Sequence, residues 1–261
     1  MSKNFFSLIK KNKPLKVVGT INAYSALLAE KAGLEALYIS GAGVANASYG
    51  IPDLAMTSKD NVLEDLRRIR GVSELPILVD CDTGWGSALS ISKTIKDMIS
   101  AGANSVHIED QVSNKRCGHR PNKEIVSDDE MIDRIKAAKD SSTKDFMLMA
   151  RTDAFAQEGL ERVIERSNAY IEAGADSIFP EAITDLKDYK KLSENISVPI
   201  LANITEFGMT PLFNDKDLAN VGVDIILHPL SAFRAMSKAA EEIYEEINAE
   251  GSVENKLKKM Q

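Results

Sequence analysis

Cysteine and histidine are scarce in this chain. Its 261 residues include Cys 2 and His 3. Two thiols, Cys81 and Cys117, cannot build a disulfide framework, so a reducing, cytoplasmic setting is expected. A structural zinc site takes four ligands, mostly Cys or His, and too few are available to read Cys117-x-His119 as part of one. Cations are also the minority: Lys+Arg 32 against Asp+Glu 39 give a formal net charge of -7. No nucleic-acid partner is expected, because that needs a basic face. No run approaches the ~18 apolar residues of a membrane span, so no membrane partner is expected either. The opening MSKNFFSLIKKNKP lacks a signal-peptide core, and has no Arg of the kind a transit peptide carries. It reads as a short amphipathic helix with Phe5, Phe6, Leu8 and Ile9 as its apolar set.

What is present is repetitive. KAGLEALYIS, SAGANSVHIED, EAGADSIFPEA and NVGVDIILHP share one grammar. Each reads as a helix ending at a glycine cap, then a short buried strand. Further apolar runs at 15–21, 76–82, 146–153 and 199–205 bring the strand-like segments to eight. Helical patterns separate them, and the runs are apolar and β-branched, as in a parallel sheet buried on both faces. Eight βα units in this length predict an α/β fold, a (β/α)8 TIM-type barrel with a C-terminal helical extension. An open doubly wound sheet is the alternative, and no G-x-G-x-x-G fingerprint supports it. With no linker or low-complexity segment, residues 1–261 are expected to form a single barrel domain, with a charged helical tail from about residue 231.

In such a barrel the chemistry sits at the C-terminal strand ends. Polar residues collect there at a period of two, so members of a pair face one way. They are Tyr38 and Ser40, Asp80 and Asp82, His107 and Glu109, Arg151 and Asp153, Glu181, then Asn203 and Thr205. Paired carboxylates at a strand end suit Mg²⁺, or Mn²⁺ in its place, which keeps most of its waters and leaves room for a chelating substrate. Asp80 and Asp82 are the expected ligands, with Glu109 a third, direct or through water; a hydrogen-bonded structural pair is the other reading. Cys81 should point the other way, into the core. Between the fourth strand and the capping pattern Ser127-Asp128-Asp129-Glu130 lies a loop at 111–126. It is longer than the usual ~2–6-residue βα connection, as lids and binding loops are. Around Cys117 it carries Lys115, Arg116, His119, Arg120 and Lys123. Such cations should favour thiolate over thiol and attract substrate carboxylates. Gly118 is expected to lend the lid flexibility. The competing readings are a solvated basic loop with an incidental cysteine, and Cys–His nucleophilic catalysis, which leaves the aspartates unexplained. Together these features describe carbon–carbon cleavage or formation next to a carboxylate.

KRCGHRPNK, VDCDTGWG, HIEDQ, ARTDA, FPEAIT and ANITEFGMTPLF resemble the isocitrate lyase/phosphoenolpyruvate mutase superfamily, and within it most of all the methylisocitrate-cleaving branch. The resemblance runs from SGAGVANASYGIPD to PLSAFRAM, and K-R-C-G-H is specific to the lyase branch. It implies cleavage of a tricarboxylate, 2-methylisocitrate, to pyruvate and succinate in the methylcitrate route of propionate catabolism. It also implies Mg²⁺ on Asp80 and Asp82, and a homotetramer, a dimer of dimers that exchange C-terminal helices. By the same resemblance, Ser40, Gly41 and Ala42 bind the pyruvate-forming part and Arg151 grips it. Cys117 and Gly118 lie on the succinate side with Lys115, Arg116 and His119, and Glu181, Asn203, Ile204, Thr205 and Arg234 complete the pocket. Cys117 is then the proton donor, Tyr38 the candidate base, and Arg151 and His119 the other catalytic groups. Relatives continue beyond the position of Gln261 and bring a further substrate-contacting arginine, so the tail is expected to be shorter here. The alternatives are a related lyase or decarboxylase acting on isocitrate, a 2-substituted malate or oxaloacetate, and a non-catalytic binder of dicarboxylates.

Overall fold

The computed structural model describes residues 4–120 and 122–260; Met1, Pro121 of the loop motif and Gln261 lie outside the described residues. The elements follow in chain order as α1 (Phe5–Lys11), β1 (Leu15–Gly19), α2 (Ala23–Lys31), β2 (Leu37–Ile39), α3 (Gly41–Gly43, running on into a π-helical turn, Val44–Ser48) and α4 (Lys59–Arg70). After these come β3 (Ile77–Asp80), α5 (Ala88–Ser100), β4 (Ser105–Glu109), α6 (Asp128–Asp140), β5 (Met147–Thr152), α7 (Phe155–Glu172) and β6 (Ser177–Pro180). Last are α8 (Leu186–Asn195), β7 (Leu201–Asn203), α9 (Asp215–Asn220), β8 (Ile225–His228) and α10 (Ser231–Glu250).

The strands form one sheet in the order β6-β5-β4-β3-β2-β1-β8-β7, with every pair parallel. A parallel bridge, Ile178 to Ile200, closes the ring between β6 and β7. Consecutive strands are neighbours throughout, so this is the (β/α)8 barrel and not the open doubly wound sheet. The strands are shorter than the apolar runs because their polar ends turn away: Asp82, read as strand, has φ 47 and lies beyond β3.

The repeated grammar has a physical basis. Gly33, Gly102, Gly174 and Gly222 all have positive φ. Behind each, the next amide reaches back to close the helix, as Ala103 N–H does to Met98 O at 2.9 Å and Ala175 N–H to Tyr170 O at 3.0 Å. Three of the units add a clamp two residues past the glycine. Asn104, Asp176 and Asp224 accept the N–H of Ile77, Leu148 and Ile200, at 3.0, 2.9 and 3.1 Å, fixing the entry of β3, β5 and β7.

Strand alternation separates two cores. Leu37, Ile39, Val79, Cys81, Val106, Ile108, Ala150 and Ile178 pack outward against the helices. Leu15, Val17, Tyr38, Leu78, Met149, Phe179 and Leu227 fill the interior, and Phe5, Leu8 and Ile9 of α1 join them. The N-terminal helix is therefore part of the barrel's own filling. Truncating the fully buried Phe5 in Phe5→Ala should cost about 3–5 kcal/mol, read as a lower urea midpoint with an unchanged slope.

Candidate active site

The interior filling stops at the barrel mouth, where polar side chains take over. A cavity of ≈ 350 Å³ opens there. Tyr38, Ser40, Ala42, Asp80, Arg151, Glu181, Asn203 and Thr205 line it from the strand ends, Lys115, Cys117, Gly118 and His119 from the lid, and Arg234 from α10.

Arg151 is the hub. Its Nε donates to Asp153 Oδ2 at 2.9 Å and lies 3.3 Å from Glu109 Oε2, while Nη2 lies 3.2 Å from Glu181 Oε2. The guanidinium also sits 5.0 Å from the Phe179 ring centre. Burial opposes its charge, but Asp153, Glu109 and Glu181 outweigh burial and raise its pKa further above the usual arginine value. On Asp153, burial is likewise outweighed, here by Arg151 and Lys123, and the carboxyl is held below its ordinary range.

Residues 111–120 and 122–126 fold across this mouth. The stem is an antiparallel pairing: Gln111 bridges Ile125, Val112 N–H donates to Glu124 O at 3.0 Å and Val126 N–H to Asp110 O at 2.8 Å. Lys115 is buried, with Nζ 2.7 Å from Asp53 Oδ1 and 2.8 Å from Asp82 Oδ1. Met209 N–H donates to His119 Nδ1 at 3.0 Å, so the ring proton belongs on Nε2, 3.2 Å from Glu181 Oε1. Gly118 is required by close approach. A Cβ there would lie 2.3 Å from Arg151 Nη2, 2.5 Å from Glu181 Cγ and 2.7 Å from Asp153 Oδ1. Flexibility, the reason expected from the sequence, is not what this position displays.

Comparisons with known proteins bear on the family and the fold. The sequence profile of the phosphoenolpyruvate phosphomutase family matches residues 5–248. The chain belongs to the phosphoenolpyruvate phosphomutase family. Among curated relatives, it is 55% identical to a 2-methylisocitrate lyase of Shewanella oneidensis over 258 residues, which is 98% of this chain and 88% of that one. Such relatives make this family member a carbon–carbon lyase. A solved 2,3-dimethylmalate lyase superposes with TM-score 0.89 at 31% identity, covering 94% of this chain and 83% of that one. A phosphonopyruvate hydrolase, solved as a complex with oxalate and Mg++, superposes with TM-score 0.85 at 26% identity, covering 98% and 89%.

In this family member the charge on the carboxylates is unevenly shared. Burial pushes Asp80 up, but His107, Lys115 and Arg151 outweigh it and hold it at about 2. Burial wins on Asp82, assisted by Asp80, and lifts it to about 6 despite Lys115. Burial also pushes Glu109 well up. The cationic loop does not lower the Cys117 thiol as expected. Burial comes first and raises it, Asp53 and Glu181 add to the rise, and the His119 amide and Arg151 only partly oppose them. Tyr38 is held neutral in the same way, by burial first and then by Asp80. Its hydroxyl lies 3.3 Å from Asp80 Oδ2 and 2.9 Å from His107 Nε2.

The donor set suits a divalent ion that keeps most of its waters. A Cβ on Gly41 would meet Asp80 Oδ2 at 3.0 Å and Asp82 Oδ1 at 3.3 Å, so the two carboxylates converge on one small space. Glu109 Oε1 is buried with no hydrogen-bond partner. Among the described residues, no group of three His, Cys, Asp or Glu side chains forms a closed cage, and Glu109 faces Arg151 instead. Two carboxylates plus water is a Mg²⁺-type arrangement, not a zinc one.

Five expected residues stay out of the cavity wall: Asp82 and Glu109, expected as metal ligands, and Gly41, Ile204 and Arg116. Gly41 stands behind it and donates its N–H to Asp80 Oδ2 at 3.0 Å. The Ile204 side chain packs into the outer core, as alternation between Asn203 and Thr205 requires. Arg116 is exposed, and the Gln111 side chain holds its backbone N–H and carbonyl at 3.0 and 2.9 Å. Conversely, Asp53, Phe179, Glu206, Phe207 and Leu230 line the cavity unannounced. Asp53 sits in an irregular βα connection, where no strand period aims a side chain, so only the tertiary fold could reveal it.

Asp153→Asn should cost about 3–5 kcal/mol at pH 7, because it leaves buried cations underpaired. The native carboxyl is depressed, so its stabilisation is present above the unfolded value of about 3.9 and lost as pH falls below it. The gap between parent and variant in chemical denaturation should therefore shrink on acidification below that value.

Proposed function

We propose that this chain cleaves 2-methylisocitrate to pyruvate and succinate, in the methylcitrate route of propionate catabolism. The observation that supports it most is one cavity, lined by Tyr38, Asp80, Arg151 and Cys117, in a chain 55% identical to proteins named 2-methylisocitrate lyase.

Arg151 and Lys115 supply fixed positive charge for the substrate carboxylates, in a site where burial strengthens every such contact. Tyr38 is placed to take the substrate hydroxyl proton. Burial and Asp80 oppose its ionisation and Arg151 favours it, so added positive charge in the cavity makes it a usable base. Loss of that proton leaves the O–H electron pair on oxygen, and it forms the carbonyl double bond of pyruvate as the adjoining carbon–carbon bond breaks. The bonding pair passes to the α-carbon of the nascent succinate, spread into its carboxylate. Arg151 and the cavity-lining Lys115 stabilise that charge. Cys117 delivers its proton to the carbon, and its raised pKa keeps the proton in place until then. Asp80 and Asp82 would hold magnesium, with Glu109 reached through water; when bound, the ion supplies Lewis-acid polarisation of the hydroxy-carboxylate oxygens.

A 2-substituted malate is the second reading, favoured by the likeness to 2,3-dimethylmalate lyase. That malate lacks the third carboxylate of 2-methylisocitrate, and a product assay, propionate against succinate, separates the two. The same reading holds the enzyme to be a cytoplasmic homotetramer with exchanged C-terminal helices. In support, no residue of α10 is buried, and Met236, Tyr244 and Ile247 on it are exposed. No described helix is long and apolar enough to cross a membrane.

Pyruvate should appear from 2-methylisocitrate and disappear with EDTA; dominant release of glyoxylate from isocitrate would sink the substrate assignment. Cys117→Ser should lower kcat by on the order of 10²–10⁴ with the substrate Kd little changed, and near-normal turnover would remove Cys117 from proton delivery. Asp80→Ala should abolish turnover at any Mg²⁺ concentration.

A further inference from the structure

Lys123 is outside the cavity wall and has no part in the chemistry above, yet its side chain is only 2% exposed. A buried ammonium persists only where its donors are met. Here Nζ donates to the Gly118 carbonyl at 2.7 Å and to Asp153 Oδ1 at 3.0 Å. Those partners belong to different parts of the site. Gly118 follows the reactive Cys117 at the lid tip, and Asp153 is the carboxylate that orients Arg151.

The Lys123 backbone is itself well held. It adjoins the antiparallel stem at Glu124 and Ile125, and its carbonyl accepts from the Gln157 side-chain amide on α7. The lid tip is held at Arg116 by the Gln111 side chain and at His119 by Met209 N–H and Glu181, and the Cys117-Gly118 segment between them has fewer holds. Arg120 N–H closes a turn on Cys117 O at 2.8 Å, and Gly118 has no side chain with which to grip the barrel. Its backbone must nevertheless stay pressed against Arg151 and Glu181, where a Cβ would clash.

We propose that Lys123 is a positioning residue. It acts as a strut from the rigid stem that seats the Cys117-Gly118 segment on Asp153, so that the thiol and Arg151 are fixed relative to each other. The inference rests on the reading that Cys117 delivers a proton. Without the ammonium, the Gly118 carbonyl is buried and unpaired, Asp153 keeps Arg151 as its cation, and the lid tip lifts.

Thiol labelling tests this directly, because Cys81 is fully buried and Cys117 is the remaining cysteine. In Lys123→Met without ligand, iodoacetamide should label Cys117 at least about tenfold faster than in the parent, at a similar thermal midpoint. Turnover should fall by on the order of 100-fold while KM moves far less, the pattern of lost alignment. Lys123→Arg keeps a buried cation and should retain more than about a tenth of parental turnover. A folded Lys123→Met with parental labelling and turnover overturns the proposal. If Lys123→Met does not fold, the arginine variant decides: folded and inactive, it overturns the proposal; folded and active with slow labelling, it supports it. Should the parent fail to cleave 2-methylisocitrate, the functional reading fails, and ligand-free labelling still decides the role of Lys123.

Discussion

Arg151 is a guanidinium buried at the barrel mouth among Asp153, Glu109 and Glu181. Removing it from water is costly, and the cost is met only by opposite charges with good geometry. The surrounding architecture follows from that requirement. Three neighbouring strand ends deliver carboxylates to one point, and the parallel register of β4, β5 and β6 brings them there, with Glu109 opposite Arg151 across the ladder. The lid must then come close enough to exclude water, and this is why Gly118, with nothing beyond Cα, lies against the guanidinium.

The opposite side of the mouth poses the inverse problem. Asp80 and Asp82 are buried close together, and like charges in a dry site resist joint ionisation. Lys115 relieves part of this by coming down from the lid to Asp82 and Asp53. The lid is thus an electrostatic component as well as a cover: its cations are partners of carboxylates on the barrel. A ligand carrying several carboxylates, or a divalent ion at Asp80 and Asp82, enters a network already arranged around both signs of charge. Burial sets the resting protonation of Cys117 and Tyr38 in this network, against what the positive loop alone would suggest.

Much of the fold could be read from local pattern. The helix–glycine–strand grammar appears as four positive-φ caps, and the apolar runs became the remaining strands. Asp80 was readable as an inward carboxylate, and Cys81 as an outward core residue, because alternation along a strand is a local geometric fact. The same rule places Ile204 in the outer core, although a motif resemblance groups it with its neighbours. Where the backbone leaves a regular element, that guide fails. Asp53, Phe207 and Leu230 line the cavity from connections that have no period, and Arg116 sits in the cationic motif yet faces solvent.

The amino-acid sequence by itself determined the barrel, its polar rim and a long cationic lid with one cysteine, because these depend on periodicity, capping and composition over short spans. Tertiary structure alone decided which cation meets which carboxylate: Lys115 with Asp53 and Asp82, Lys123 with Asp153, His119 with Glu181. It also decided the direction in which the thiol titrates. Such pairings join residues tens of positions apart, and their strength depends on how much water the folded chain excludes, a quantity that no local stretch of sequence contains.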